Sequence, residues 1–150
     1  MDDVIRFTDE FYILATASTA DEGRVLKQGD SFAIFDRYGD IHQSGLGEQG
    51  IYHDGTRHLS RLEFRLGNLR PFLLSSMINE DNILFTADLT NPDAYANGTI
   101  ALRRGDLHIL RSKFLWQAVC YERLQIVNYS LFPIQVSFGF QFDCDFADIF

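Results

Sequence analysis

The stretch Ile134–Asp145, IQVSFGFQFDCD, alternates apolar and polar residues without a break. Ile134, Val136, Phe138, Phe140, Phe142 and Cys144 fall on one side of an extended chain, and Gln135, Ser137, Gly139, Gln141, Asp143 and Asp145 on the other. A helix would scatter these rings around its whole circumference, so the pattern predicts an antiparallel strand with one buried face.

The same period recurs upstream. Leu62, Phe64 and Leu66 alternate with Arg61, Glu63 and Arg65, and Ile83, Phe85, Ala87 and Leu89 form a second apolar set. In DLHILRSKFLWQ the apolar set reads as Leu110, Phe114 and Trp116, with Ser112 between them, and Leu124 and Ile126 continue the series. Shorter strand candidates are FYILATAST, GRVLKQ and SFAIF. Turn residues separate them: DEGR around Gly23, closing a first hairpin, DRYGD after Phe35, Gly67-Asn68 between two strands, and Asn97-Gly98 in a longer connection. NYSLFP turns the chain before the last strand. Val127 to Ile134 reads as a hairpin connection whose pairing would bring Cys120 near Phe142 or Cys144. No stretch of ten residues has a helical period; DFADIF offers one helical turn with Asp145 as its N-cap. Residues 38–55, with five glycines, read as a long loop.

These features predict an all-β fold, a mostly antiparallel β-sandwich, in a single domain spanning 1–150. The 14 Phe residues and 46% hydrophobic content supply a core. A net charge of -8 disfavours nucleic acid, which needs a basic surface. No apolar run reaches the ~20 residues of a membrane span, and no secretory signal is visible. Two cysteines suit free thiols and a cytoplasmic setting, and they are too few for a zinc site. No metal or cofactor is expected.

Four residues are the candidate functional positions. Asp143 and Asp145 lie two apart on a strand, with Cβ atoms ~6–7 Å apart, a spacing that could serve an inverting glycosidase or calcium. A solvated face with a cap on the next turn is the preferred reading. Asp54 and Arg57 stand ahead of an amphipathic strand, and a structural ion pair or a tie to backbone carbonyls is preferred to ligand contact. His42, His53, His58 and His108 read as structural or surface residues. Ser60 near His58 and Asp54 lacks the Gly-framed turn of a nucleophile elbow. Gly45, Gly47 and Gly50 lack the strand and helix of a phosphate cradle. Trp116, Tyr121, Tyr129 and Tyr95 could make a sugar platform, but Trp116 shares parity with Phe114 and Leu110 and is assigned to the core.

Five phrases in order, KQGDSFAIFDRYGDI, GIYHDGTRHLSRLEFRLGNLRPFLLSS, DNILFTADLTNPD, RSKFLWQAVCYERLQIVNYS and FDCDFADIF, resemble the N-terminal domain of bacterial glycogen debranching enzymes of the amylo-alpha-1,6-glucosidase type. The likeness runs from Lys27 to Phe150; residues 1–26 match least. It implies a non-catalytic β-sandwich placed before a helical toroid that holds the glycosidase acids, so no catalytic residue is carried over. The family's DTR phrase appears as Asp54-Gly55-Thr56-Arg57, with a glycine inserted. Asp54, Arg57, Asp143 and Asp145 remain as candidates for glucan or interdomain contact. The resemblance also implies that DFADIF runs on into further sandwich. The expected partners are the helical domain of the same polypeptide, an α-glucan in the parent enzyme, and a second copy of the chain in a homodimer. The chain by itself is expected to be inactive, while the parent is a glycoside hydrolase. The alternative is a stand-alone carbohydrate-binding or oligomerisation module.

Overall fold

The computed structural model describes residues 23–42 and 48–149. The strand candidate Phe11–Thr19, Gly45, Gly47 and Phe150 lie outside them. Among the described residues the regular structure is entirely strand, arranged in antiparallel sheets as a sandwich-like fold.

The first sheet grows by hairpins. β1 (Arg24–Gln28) pairs with β2 (Ser31–Phe35) across a two-residue turn in which Gly29 takes φ 57°. β2 pairs with β3 (Gly50–His53), and β3 with β4 (Thr56–Leu59). Asp54 and Gly55 close that hairpin with φ 49° and 82°, the left-handed pair that a tight two-residue turn requires. Part of the loop expected over 38–55 is therefore strand, Gly50–His53. Its glycines concealed a hairpin whose marker is the Asp-Gly pair.

β5 (Arg61–Leu66) leaves this sheet and pairs with β12 (Phe138–Asp143), Phe64 opposite Phe140 and Arg61 opposite Asp143. β6 (Phe72–Ile78), β7 (Leu84–Thr90), β10 (Leu107–Trp116) and β11 (Val119–Asn128) form a four-stranded sheet in the order β11-β10-β7-β6. β8 (Ala94–Ala96) and β9 (Thr99–Leu102) make a small hairpin. Its turn is Asn97-Gly98, with φ 53° and 79°, so this dipeptide closes a hairpin inside the longer connection from β7 to β10.

The inner face of β7 and β10 is the floor of the core. At one end Phe85, Ala87 and Leu115 meet Leu26, Ala33 and Phe35 from β1 and β2. At the other, Leu89, Leu107 and Ile109 meet Phe64 and Leu66 from β5. Burying each large apolar side chain contributes roughly 1.5–3 kcal/mol, and together these clusters hold the layers face to face.

Four local expectations are corrected. The inner face of β10 is Leu107, Ile109, Arg111, Lys113 and Leu115, while Phe114 and Trp116 are exposed. Hydrophobicity alone puts the other parity inside, but two cations hold the inner positions because acids and carbonyls meet them there. β11 does not pair with β12: Cys120 lies opposite Leu115 and Phe142 opposite Leu62. Both cysteines are free. The last strand is shorter than its alternation, and of Phe138, Phe140 and Phe142 only Phe140 is half-buried. The described residues of DFADIF, 145–149, hold no helical turn; Ala147–Asp148 forms β13 against β4, and Asp145 accepts a bond from the Ala147 amide instead of capping a helix.

Candidate functional site

Two of the four candidate residues meet directly. Arg57, on β4, turns its guanidinium to Asp145, with Nε 3.1 Å from each carboxylate oxygen and Nη2 bonded to Oδ2. Nη1 reaches the carbonyl of Gln49. Gly50 makes room, since a Cβ there would lie 2.5 Å from Arg57 Cδ. The hydrogen bonds from Arg57 hold the Asp145 carboxyl below its ordinary pKa. The structure thus joins Arg57 to the far end of the chain and not to Asp54, which sits exposed in the hairpin turn beside His53.

Asp143 is separately committed. Arg61 Nη1 lies 3.4 Å from its Oδ2, and the same guanidinium bonds Gln141 at 3.0 Å. Arg61 and Arg65 also flank Glu63, at 3.4 and 3.1 Å. Asp143 and Asp145 each face an arginine, an arrangement that ties both carboxylates to neighbouring strands. An acid–base pair would need one group pushed upward by burial or a like charge; here the Asp145 pKa is lowered.

The densest polar chemistry lies deeper, where the sequence marked nothing. Arg111 and Lys113 point inward from β10 and are buried. Arg111 Nη1 bonds Asp40 Oδ1 at 2.7 Å and the Tyr38 carbonyl at 2.9 Å, and Nη2 bonds the Gly39 carbonyl and Glu122. Its guanidinium carbon lies 5.3 Å from the Phe64 ring centroid, within cation–π range. Lys113 Nζ bonds Glu122 Oε1 at 2.7 Å and the Gly39 carbonyl. Desolvation lowers the Lys113 pKa to about 8, with the charge of Arg111 acting in the same direction and Glu122 opposing both. Burial alone would raise the Glu122 pKa, but the two cations bring it below its ordinary value.

The turn between Phe35 and Ile41 carries the rest. Asp36 receives the amides of Tyr38 and Asp40 and the guanidinium of Arg70, 2.8 Å away. His42 Nε2 stands 3.1 Å from Asp36 Oδ2, and Nδ1 stands 3.3 Å from Glu63 Oε1. Asp36, Asp40 and His42 have ligand-type atoms within 4.8 Å of one another. A cation does not fit among them as arranged, because Arg70 Nη2 is already within 3.4 Å of Asp40 Oδ2 and of His42 Nε2. This is a structural ion lattice that ties the turn to β5 and β10.

One arrangement imitates a hydrolytic triad. Ser31 Oγ lies 2.8 Å from His53 Nδ1, and His53 Nε2 lies 3.2 Å from Asp54 Oδ2. The hydroxyl is buried and the carboxylate exposed, the reverse of what an attacking serine needs. Ser60, the hydroxyl weighed from sequence, bonds the Asp143 carbonyl.

The aromatics take a different place from the one expected. The outer face of the four-stranded sheet carries Met77, Leu84, Phe114, Trp116, Val119 and Tyr121, all exposed. Phe114 and Tyr121 stack across the strands at 4.9 Å and 14°. Tyr129 is exposed near His108, at 6.3 Å between centroids.

The described residues thus form a sandwich-like β module with an interior ion lattice, an exposed apolar sheet face and arginine-paired aspartates. Residues 26–150 match the family of the N-terminal domain of (some) glycogen debranching enzymes, and the chain belongs to that family. No curated protein and no solved structure matches it.

Proposed function

We propose that this domain is a non-catalytic module of an α-glucan debranching enzyme, packing on a helical α-1,6-glucosidase domain and bordering its glucan site. The observation that carries the reading is the outer face of the β11-β10-β7-β6 sheet. Soluble domains rarely leave Phe114, Trp116, Tyr121, Leu84 and Met77 together in water, and such a patch marks a docking surface. The parent reaction is hydrolysis of branch points by an acid and a base carboxylate around an oxocarbenium-like transition state. Asp143 and Asp145 do not supply that pair. Their arginine partners anchor β12 and β13 instead.

The experiment has two arms. Pure chain is incubated with a branched dextrin and reducing ends are counted; the expected result is no turnover. Turnover abolished by Asp145→Asn would overturn the reading. The helical part of the parent polypeptide is then titrated with this domain. Binding that weakens with Phe114→Ser or Trp116→Ser supports docking through the outer face, and binding indifferent to both counts against it.

A second reading, a free-standing carbohydrate-binding module, rests on Trp116, which is 54% exposed. Phe114 and Tyr121 serve it less well, because stacking covers one face of each ring. Retardation of the isolated chain in a glucan-containing gel, lost in Trp116→Ala, would favour it.

A further inference from the structure

Among the described residues the four-stranded sheet ends in a long strand with one free edge. β11 runs for ten residues and, among the described residues, is bonded to β10 on one side only. Gln117 and Ala118, with φ 48° and 63°, close the β10–β11 hairpin as a two-residue turn between Trp116 and Val119. Trp116 and Val119 then exchange backbone bonds, and the alternation leaves Cys120, Glu122, Leu124 and Ile126 with amides and carbonyls aimed away from β10. The facing layer is open on the same side. Phe140 packs inward with Leu124 and Ile126 on one core cluster, yet Phe138 and Phe142, at the same parity of β12, are 51% and 60% exposed. An exposed edge beside exposed rings is a template for another strand.

We propose that this margin is an interface for a second copy of the chain, joined β11 to β11 about a twofold axis so that the sheet runs on through both. The charges on β11 choose the register. Keeping the inner faces together limits the axis to passing opposite a single residue. Centred on Glu122, the pairing sets two carboxylates face to face; centred on Arg123, it opposes two guanidiniums. Like charges directly across a ladder are destabilising. Centred on Leu124, the strand meets itself without such a clash. Leu124 faces Leu124, Arg123 faces Gln125, Tyr121 faces Val127, and Glu122 keeps its own partners Arg111 and Lys113. Registers further along shorten the ladder. A closed twofold contact is also the commonest way a self-complementary edge is satisfied. Each copy carries a net charge of -8, so association tightens as salt screens the repulsion. The interface uses the edge and shares only Tyr121 with the outer face proposed above for docking.

The test uses the whole chain, with mass measured by light scattering over a range of protein and salt concentrations. A dimer that strengthens with salt is expected. Leu124→Pro removes an outward amide from the centre of the contact and leaves the β10 ladder intact. It should weaken the dimer about thirtyfold through two lost hydrogen bonds, while Trp116→Ser leaves it unchanged. Register is read by cross-linking in a Cys120→Ala, Cys144→Ala background. Arg123→Cys chains mixed with Gln125→Cys chains should form a disulfide-linked heterodimer. Arg123→Cys joining preferentially to itself, a monomer at every concentration, or a dimer dissolved by Trp116→Ser would each overturn the proposal. Should Leu124→Pro fail to fold, the cross-linking pattern decides alone.

Discussion

Arg111 Nη1 lies 2.7 Å from Asp40 Oδ1, with both side chains withdrawn from water. The pair joins the inner face of β10 to the turn after β2, 71 residues away in sequence. The same carboxylate accepts the Phe64 amide at 3.1 Å, so one aspartate serves three elements. Such a pair contributes less to net stability than to placing the elements, because desolvation offsets much of the attraction.

Asp40→Asn should therefore be costly, because it leaves a buried guanidinium short of an anion. Loss of one partner of a buried pair costs about 3–5 kcal/mol, and Glu122, still bonded to Arg111, places this case at the lower end. Urea unfolding measures it. The double variant Asp40→Asn, Arg111→Met should recover part of the loss; an equal or greater loss would count against the pairing.

His42 predicts a pH dependence with a definite sign. Its two ring nitrogens face Asp36 and Glu63, and only the imidazolium can donate to both. The bond to Asp36 is the main cause of a raised pKa; desolvation and the charge of Arg70 oppose it, and Asp40 supports it. The folded value exceeds the unfolded one of about 6.5, so this stabilisation is complete below that pH and is lost as pH rises through the folded value. Lys113, lowered to about 8, has the opposite slope in the alkaline range, where the unfolded chain holds the extra proton. Thermal melts of the wild type and His42→Gln across neutral pH should converge as pH rises. Parallel curves would show that His42 carries no folding-linked proton.

Gly39 is held at φ 88°, and a Cβ there would lie 2.9 Å from Phe85 Cε1 and 3.1 Å from Lys113 Cε. Gly105 has φ 89° with nothing within 4 Å. Both alanine variants incur the left-handed penalty of about 1–2 kcal/mol, and only Gly39→Ala adds overpacking of about 1–3 kcal/mol. Denaturation midpoints of the two should differ accordingly; equal losses would show that the Phe85–Lys113 side yields freely.

Asp145→Asn should loosen the end of the sheet and spare the core. It removes the charge that Arg57 holds, and β13 has two residues of ladder to retain it. Hydrogen exchange should quicken at Ile149, whose amide bonds the Gly55 carbonyl, while the amide of Ile109 keeps its protection. Uniform acceleration at both would assign Asp145 to global stability instead.

Several strands were legible because one period decides them. Leu62, Phe64 and Leu66 turned inward as the alternation requires, as did Phe85, Ala87 and Leu89, though Ile83 before them is exposed. β1 and β2 matched GRVLKQ and SFAIF, and DRYGD marked their exit. β3 and β4 were hidden by neighbouring glycines, although Asp54-Gly55 between GIYH and TRHL is a hairpin signal in its own right. β6 went unmarked because FLLSSMI has no clean alternation; its ladder to β7 shifts register between Leu73 and Ser75.

The candidate site divides the same way. Sequence placed Asp143 on the polar face of its strand, where it lies, and separated it from the apolar set. It could not name Arg61 as the partner of Asp143 or Arg57 as that of Asp145, because those pairings span 82 and 88 residues.

By itself the sequence determined an all-β chain, the turns that punctuate it, and membership of a debranching-enzyme family, since alternation, turn chemistry and ordered phrases are local properties. Only the tertiary structure decided which strands pair and which side of β10 is inside. A lone Arg or Lys in a strand reads as solvent-facing. Arg111 and Lys113 are interior because Asp40, Glu122 and the carbonyls of Tyr38 and Gly39 converge on them from elsewhere in the chain, and such convergence exists only once the layers have closed.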